Sequence, residues 1–487
     1  MELTQNKELE MKQRFSTATV LMLVFAILPT TGNAKKKDVL KSIEKREENY
    51  HEIAKQIWMW AEDGYQEYKS SELLQNTLKS EGFSIEAGVA EIPTAFVATY
   101  GSGKPVIGIL AEFDALPGLS QEAAAVRKPR IEAASGHACG HHLFGTASTA
   151  AAIAVKEWMQ RSGTKGTLRL YGTPAEEGGS GKVYMVRAGL FDDADAILHW
   201  HASDRNDGSP GTTLANRSAK FRFTGYSSHA AGAPDRGRSA LDGIEAMNHM
   251  VNLMREHVPE ETRIHYVITR GGGAPNVVPD FAEAFYYVRH PRVDELEDLW
   301  ERVVKAAEGA ALGTGTTLGF EIIHGNRPVL RNDKLQKVVY DNLKEVGGVK
   351  YNGQERKFAE AIQKTFRNVT MPIESAAEIQ PWKFRPGSGS TDVGDISWMV
   401  PTAGLNVATW VPGTSAHTWQ AVAAGGMGIG MKGLTIAAKT LALSAVDYFQ
   451  NPKVIRDARS ELMERRGADF NYYALLGDRD PPLDYRK

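Results

Sequence analysis

The chain has 487 residues, 42% of them hydrophobic and 24% charged, an ordinary globular composition with length for roughly two to four domains. Its formal net charge of −2 argues against a general polyanion binder, because nucleic-acid domains carry a strong basic excess. Nothing in it resembles a heptad run, a short repeat or a low-complexity tract.

The first 34 residues read as a segment apart. Lys12 and Arg14 precede an apolar run from Ala18 to Leu28, followed by Pro29 and small residues ending at Ala34. A basic start, a short apolar centre and a small-residue exit predict a secretory signal peptide over 1–34, hence an exported, periplasmic or secreted protein. The run is too short to be a stable anchor in a bilayer of about 30 Å.

Tyr50, Ile53, Ile57 and Trp60 recur at helical spacing, and SSELLQNTLKSEGF forms a second helix ended by Gly82. The apolar runs TAFVATY, KPVIGILAEF, GTLRLYGTP and DAILHWHA then alternate with helical stretches such as GTASTAAAIAVKEWMQ. That alternation predicts an α/β domain with a mainly parallel sheet covered on both faces. Ligands in such sheets bind beyond the carboxyl ends of the strands. From KFRFTGY to TTLGFEII the order becomes βαββαβ, a ferredoxin-like module inserted into the first domain. The boundaries expected are 35–214 and 326–450 for the catalytic domain, 215–325 for the insert, and 451–487 for a charged, loosely packed tail.

Cys139 is the only cysteine, so no intrachain disulfide is possible. It lies in SGHACGHHLFGT with His137, His141 and His142. One thiolate and several imidazoles converging in a turn permitted by Gly140 favour metal binding over a structural turn. In GTPAEEGGSGK, Glu176 and Glu177 follow an apolar strand and precede glycines. Adjacent carboxylates usually form a solvated surface, but here one could bind a metal while the other takes a proton from water. His199 and His201 in ILHWHASD share a strand face and are better ligand candidates than a lone histidine. His417 in VPGTSAHTWQ carries almost no signal by itself. Asp114 in LAEFDALPG reads equally as an orienting carboxylate or as a turn-initiating residue.

The ordered motifs EFDALPG, HACGHH, PAEEGG, LHWH, SSHAAGAP, GGGAPNVVPD, GSTDVGDISW and SAHTWQ resemble the aminoacylase and carboxypeptidase-G superfamily. The likeness is to its amidohydrolase branch, within that the aminobenzoyl-glutamate hydrolase type, and it spans roughly Val39 to Phe449. The resemblance implies two divalent metals, manganese or zinc, held by Cys139, His141, Glu177, His201 and His417. It implies Glu176 as general base, Asp114 as orienting residue and His229 as oxyanion stabiliser reaching into a partner's site. Asn276 would contact substrate, and Arg289, a weaker match, would hold the substrate carboxylate. The insert would be lid and dimerisation domain, in a homodimer or a heterodimer with a related subunit. The substrate would be a small N-acyl or N-aroyl amino acid, p-aminobenzoyl-glutamate first, with short peptides as the alternative. Position 142 departs from the pattern: it is His here, where the branch carries Asp or Asn.

Two rivals remain open on these residues: Cys139 as a nucleophile activated by a histidine, and a metal- or substrate-binding protein without turnover. The Glu176–Glu177 pair argues against the second, because binding alone needs no spare base.

Overall fold

The computed structural model describes residues 30–486. The leader therefore falls outside the described residues except for Thr30–Ala34, which open the first helix, Thr30–Lys45.

The larger sheet has six strands in the order β1-β2-β4-β3-β5-β12: β1 (Ser84–Ala87), β2 (Phe96–Ser102), β3 (Val106–Ala111), β4 (Gly166–Gly172), β5 (Ala196–Ser203) and β12 (Thr402–Ala408). β4, β3, β5 and β12 run parallel, as expected of strands buried on both faces: every residue of β3 is buried. The remaining pairings, β1 with β2 and β2 with β4, are antiparallel. TAFVATY therefore lies in the antiparallel part of the sheet, although its apolar run resembles those of the parallel strands.

Helices His141–Ser162 and Gly428–Gln450 pack on this sheet and on each other. The second is long and apolar enough to cross a membrane by length and composition, but it is mostly buried within the protein. Its core contacts account for its apolarity without a membrane.

The second sheet has strand order β10-β7-β9-β8, all antiparallel, from β7 (Ala215–Thr224), β8 (Arg263–Arg270), β9 (Phe281–His290) and β10 (Thr317–Asn326). A short parallel pair, β6 (Gly211–Thr212) with β11 (Arg385–Pro386), lies just before the entry to this unit. Helices Ala240–Met254 and Val293–Thr314 pack together against the second sheet. Ser239 caps the first of them by accepting from Asp242 N. This unit has its own core, centred on Phe221, Phe223, Met247, Tyr286 and Leu299.

The segment after Pro452 does not pack loosely. Pro452–Arg466 is a helix against Asp333–Val346, and Asn332 and Glu461 bind across that contact. Beyond it, Leu475 joins the core of the inserted unit and Leu476 that of the larger domain. Charged composition hid these two leucines, which anchor the segment to both cores.

The same segment brings the Tyr472 hydroxyl to the buried Asp395, which also accepts from Arg327 N. Burial pushes the Asp395 carboxyl up to about 7 against these two hydrogen bonds. Between the unfolded value near ~4 and this folded value the native state holds the extra proton, so stability falls as pH rises through that window. In Asp395→Asn this loss should disappear. The Tm of the variant relative to the parent should rise progressively from pH 5 to pH 8 in calorimetry, and a constant offset would refute it.

Candidate active site

The chemistry-bearing residues collect at the carboxyl ends of the parallel strands. β3 delivers Glu112 and Asp114 just past its end, β4 leads into Glu176–Glu177, and β5 carries His199 and His201. The helix His141–Ser162 starts at the same edge. Gly140 before it has φ +80°, and a Cβ there would stand 2.4 Å from the Ala202 Cβ, so only glycine lets this turn meet β5.

Cys139 Sγ lies 3.4 Å from His201 Nε2. The other ring nitrogen of His201, Nδ1, donates to the Ala202 carbonyl at 2.7 Å, which leaves Nε2 with a free lone pair facing the thiol. Burial lowers the His201 pKa to about 4, with the His141 charge adding to the effect, so the ring is neutral as a ligand must be. His141 Nδ1 is 2.9 Å from Asp114 Oδ1, and Asp114 Oδ2 accepts from Glu177 N at 2.9 Å. One carboxylate thus fixes both an imidazole and the glutamate loop, which favours its orienting role over a turn role. His417 Nε2 stands 3.2 Å from Glu177 Oε1. Burial would raise the Glu177 carboxyl, but the His417 hydrogen bond and charge hold it below the usual range.

These contacts form three interlocking clusters able to hold a cation: Cys139–His141–His201, Cys139–Glu177–His417 and His141–Glu176–Glu177. His141 Nε2 faces Glu112 Oε2 at 3.1 Å, and Glu177 Oε1 faces His417 Nε2 at 3.2 Å, so these buried donor atoms are held in place by their neighbours. This mixture of sulfur, imidazole and carboxylate donors suits a divalent metal ion.

Glu176 differs from its neighbour. Its carboxylate takes part in none of the side-chain hydrogen bonds or ion pairs of the described residues. Burial, then the charges of Glu112 and Glu177, push its pKa well above the ordinary carboxylate value. The loop carrying both glutamates is strained: Ala175 (φ 56°) and Ser180 (φ 58°) are left-handed, conformations costing of order ~1–3 kcal/mol each outside glycine. The buried Glu67 supports it by accepting from Ala175 N at 2.8 Å.

Sequence reasoning missed a buried charge relay behind the site. Lys182 Nζ is 2.8 Å from Glu112 Oε1 and 2.6 Å from Asp392 Oδ1, and none of the three is more than 2% exposed. Glu112 Oε2 in turn is 3.1 Å from His141 Nε2. Removing the lysine would strand two carboxylates, a class of change costing about 3–5 kcal/mol. The only local signal was Glu112 itself, a charge ending a wholly apolar strand two residues before Asp114.

Beside the clusters opens a cavity of about 730 Å³. Glu176, Glu177, Cys139, His199, His201, His417 and Arg289 all reach it. Asn276 and His229 do not. They sit together on exposed turns of the inserted unit, where Ala230 N donates to the Asn276 carbonyl. His142, the departure from the motif, faces away and bonds the Gly425 carbonyl at 3.1 Å. A nucleophilic Cys139 is disfavoured: burial, then the Glu177 charge, drives its thiol pKa well up, opposite to what an activated thiolate requires.

A parallel-sheet edge bearing a soft and hard donor set around one unligated carboxylate defines a metal-dependent hydrolase. The model of peptidase family M20/M25/M40 matches residues 108–420, and the chain belongs to that family. It is 40% identical to one of the subunits of the p-aminobenzoyl-glutamate hydrolase of Escherichia coli (strain K12), over 86% of this chain and 93% of that one. It is 28% identical to the Xaa-Arg dipeptidase of Mus musculus, over 89% and 94% of the two chains. The crystal structure of an aminobenzoyl-glutamate utilization protein from Klebsiella pneumoniae shares the fold, with TM-score 0.58, 16% identity and coverage of 85% and 98%. The chain is a metallo-amidohydrolase of this family.

Proposed function

We propose that the chain hydrolyses the amide bond of N-acyl or N-aroyl amino acids, with p-aminobenzoyl-glutamate as the preferred test substrate. The observation that carries the proposal is Glu176, a carboxylate with a raised pKa and no partner beside a ready donor set and an open cavity. Two divalent cations, manganese or zinc, would be held by Cys139, His141, Glu177, His201 and His417 and would supply Lewis-acid polarisation and acidification of water. Glu176 takes the proton of the attacking water and returns it to the leaving amine, a task suited to a buried carboxyl whose pKa is raised above the ordinary carboxylate value. Asp114 holds His141 and the Glu177 backbone in register throughout. Arg289, whose Nε is buried without a partner, receives the carboxylate next to the scissile bond.

The inserted βαββαβ unit fits a ferredoxin-like lid and dimerisation domain. His229 and Asn276 would then reach a site by closure or from a second subunit. The E. coli relative is itself a subunit of a larger enzyme by its name, which supports pairing with a related chain; a homodimer is the alternative assembly. Export through the leader at 1–34 belongs to the same proposal. The test is a hydrolysis screen on chelated protein reloaded with Mn²⁺ or Zn²⁺, with N-acyl amino acids and dipeptides side by side. Release of p-aminobenzoate is expected, and dipeptide cleavage alone would favour the peptidase reading.

A further inference from the structure

The segment after the helix Pro452–Arg466 runs along the seam between the two units and ends in the active-site cavity. Arg217 Nε of β7 donates to the Leu475 carbonyl at 2.8 Å. Arg479 reaches Glu321 Oε1 of β10 at 2.9 Å and also the Ile322 carbonyl. From the other side Arg187 donates to the Arg479 carbonyl at 2.7 Å, and Gln66 to the Leu483 carbonyl at 2.8 Å. Pro481 and Pro482 restrict the backbone just before its end. Tyr485 then packs edge-on against Tyr65 with ring centroids 5.6 Å apart.

The last two described residues touch the glutamate loop itself. Tyr485 Oη and Arg486 Nη2 both donate to the Glu177 carbonyl, at 3.0 and 2.6 Å. Arg486 spends one nitrogen on that bond, while its Nε is buried without a partner. It lines the cavity together with Arg289, Tyr287 and His324. The Arg289 guanidinium lies 5.3 Å from the Tyr287 ring centroid. Tyr287 Oη and Arg486 Nη2 converge on Gly178, where a Cβ would meet them at 3.5 and 3.7 Å. Both arginines are near enough to depress His324, whose pKa burial chiefly lowers to about 3.

Neither guanidinium forms an ion pair among the described residues, and the carboxylates lining the cavity are committed elsewhere. Glu112 and Asp392 face Lys182, Asp207 faces Arg385, and Glu177 faces His417. Glu176 is the exception, and its proton-transfer role requires it to stay unpaired. Asp63 acts on Arg486 and Glu176 on Arg289 only from beyond ion-pair distance, so these partly buried cations gain stability from an anion that contacts them. Two such forks in one cavity match a ligand with two carboxylates.

We propose that Arg486 is a specificity-determining residue: with Arg289 it forms a two-guanidinium subsite for a dicarboxylic amino-acid moiety, Arg486 taking the side-chain carboxylate. This deepens the amidohydrolase reading and rests on it. A neutral leaving amino acid satisfies Arg289 and leaves Arg486 desolvated with no anion, so selection works through the unpaired fork as much as the paired one.

The experiment compares p-aminobenzoyl-glutamate with its near-isosteric glutamine counterpart on metal-loaded parent protein, Arg486→Gln, Arg486→Lys and Tyr485→Phe. The parent should prefer the glutamyl compound, mainly through KM. Charge-assisted hydrogen bonds of this kind support a ratio of roughly 10- to 100-fold. In Arg486→Gln that ratio in kcat/KM should collapse toward one, and Arg486→Lys should restore part of it. Tyr485→Phe, which loosens only the clamp on Glu177, should keep the ratio whatever its rate. An equal loss on both compounds in Arg486→Gln would reduce the residue to a loop clamp and overturn the proposal, as would an unchanged ratio. Calorimetry with glutarate against butyrate on the same loaded proteins requires no turnover. Tighter glutarate binding that vanishes in Arg486→Gln upholds the subsite even if no amide is cleaved, whereas equal binding of the two acids refutes it even if hydrolysis is found.

Discussion

Glu176→Gln is expected to lower kcat by two to four orders of magnitude while the protein keeps its full complement of metal. General acid–base groups contribute about 10²- to 10⁴-fold, and Glu176 is the one carboxylate at the clusters without an ion-pair partner. The amide has nearly the shape of the acid, so the strained loop from Ala175 to Ser180 should survive the change. Stability supports the same assignment. Burial and the charges of Glu112 and Glu177 raise the Glu176 pKa, so the ionised form is disfavoured in the folded chain and its cost grows as pH rises above the unfolded value. The metal-free variant should therefore melt no lower than the parent at pH 8. Glu177→Gln should behave in the opposite way, because Glu177 is paired with His417 and reaches two of the donor clusters. It should lose metal and activity together. If Glu176→Gln kept more than about a tenth of the parental kcat at full metal occupancy, proton transfer would have to be assigned elsewhere.

How much of this was legible in the sequence depended on how local each feature is. β3, β5 and the inserted unit could be read because apolar runs and helical spacing are properties of adjacent residues. β2 was read with the parallel strands because burial on both faces makes an apolar run in either direction. Of the site, Cys139, His141 and the glutamate pair stood out by density within a few residues. His417 did not: its left-handed φ of 60° and its backbone bond to the Ala138 carbonyl are what carry the ring to Glu177, and only the family pattern anticipated it. The Glu112–Lys182–Asp392 relay joins three segments that no spacing relates, and Lys182, sitting after three glycines and a serine, reads as a solvated loop lysine. Arg486 was hidden in the same way by a charged, proline-bearing tail.

Periodicity was equally unable to separate His199 from His201, because residues two apart on a strand face the same way. In the structure they differ in their neighbours. His201 offers Nε2 to Cys139 at 3.4 Å and belongs to a donor cluster with His141. His199 belongs to none of the three clusters. It lies flat over Gly404 of β12, where a Cβ would come within 2.4 Å of its Nε2. Burial, followed by the charges of His201 and Lys182, lowers its pKa to about 3, so it is a neutral wall of the cavity. His201→Ala should thus bind fewer metal ions per chain and be essentially inactive, because deleting an imidazole ligand vacates or weakens a cation site. His199→Ala should keep near-normal metal content and lose at most about 10- to 100-fold in activity, the range typical of residues that support a ligand without being one. Elemental analysis of the two purified variants, read beside their kcat values, decides between them. Metal loss in His199→Ala with retention in His201→Ala would shift the ligand set two residues up β5 and remove Cys139 from its pairing.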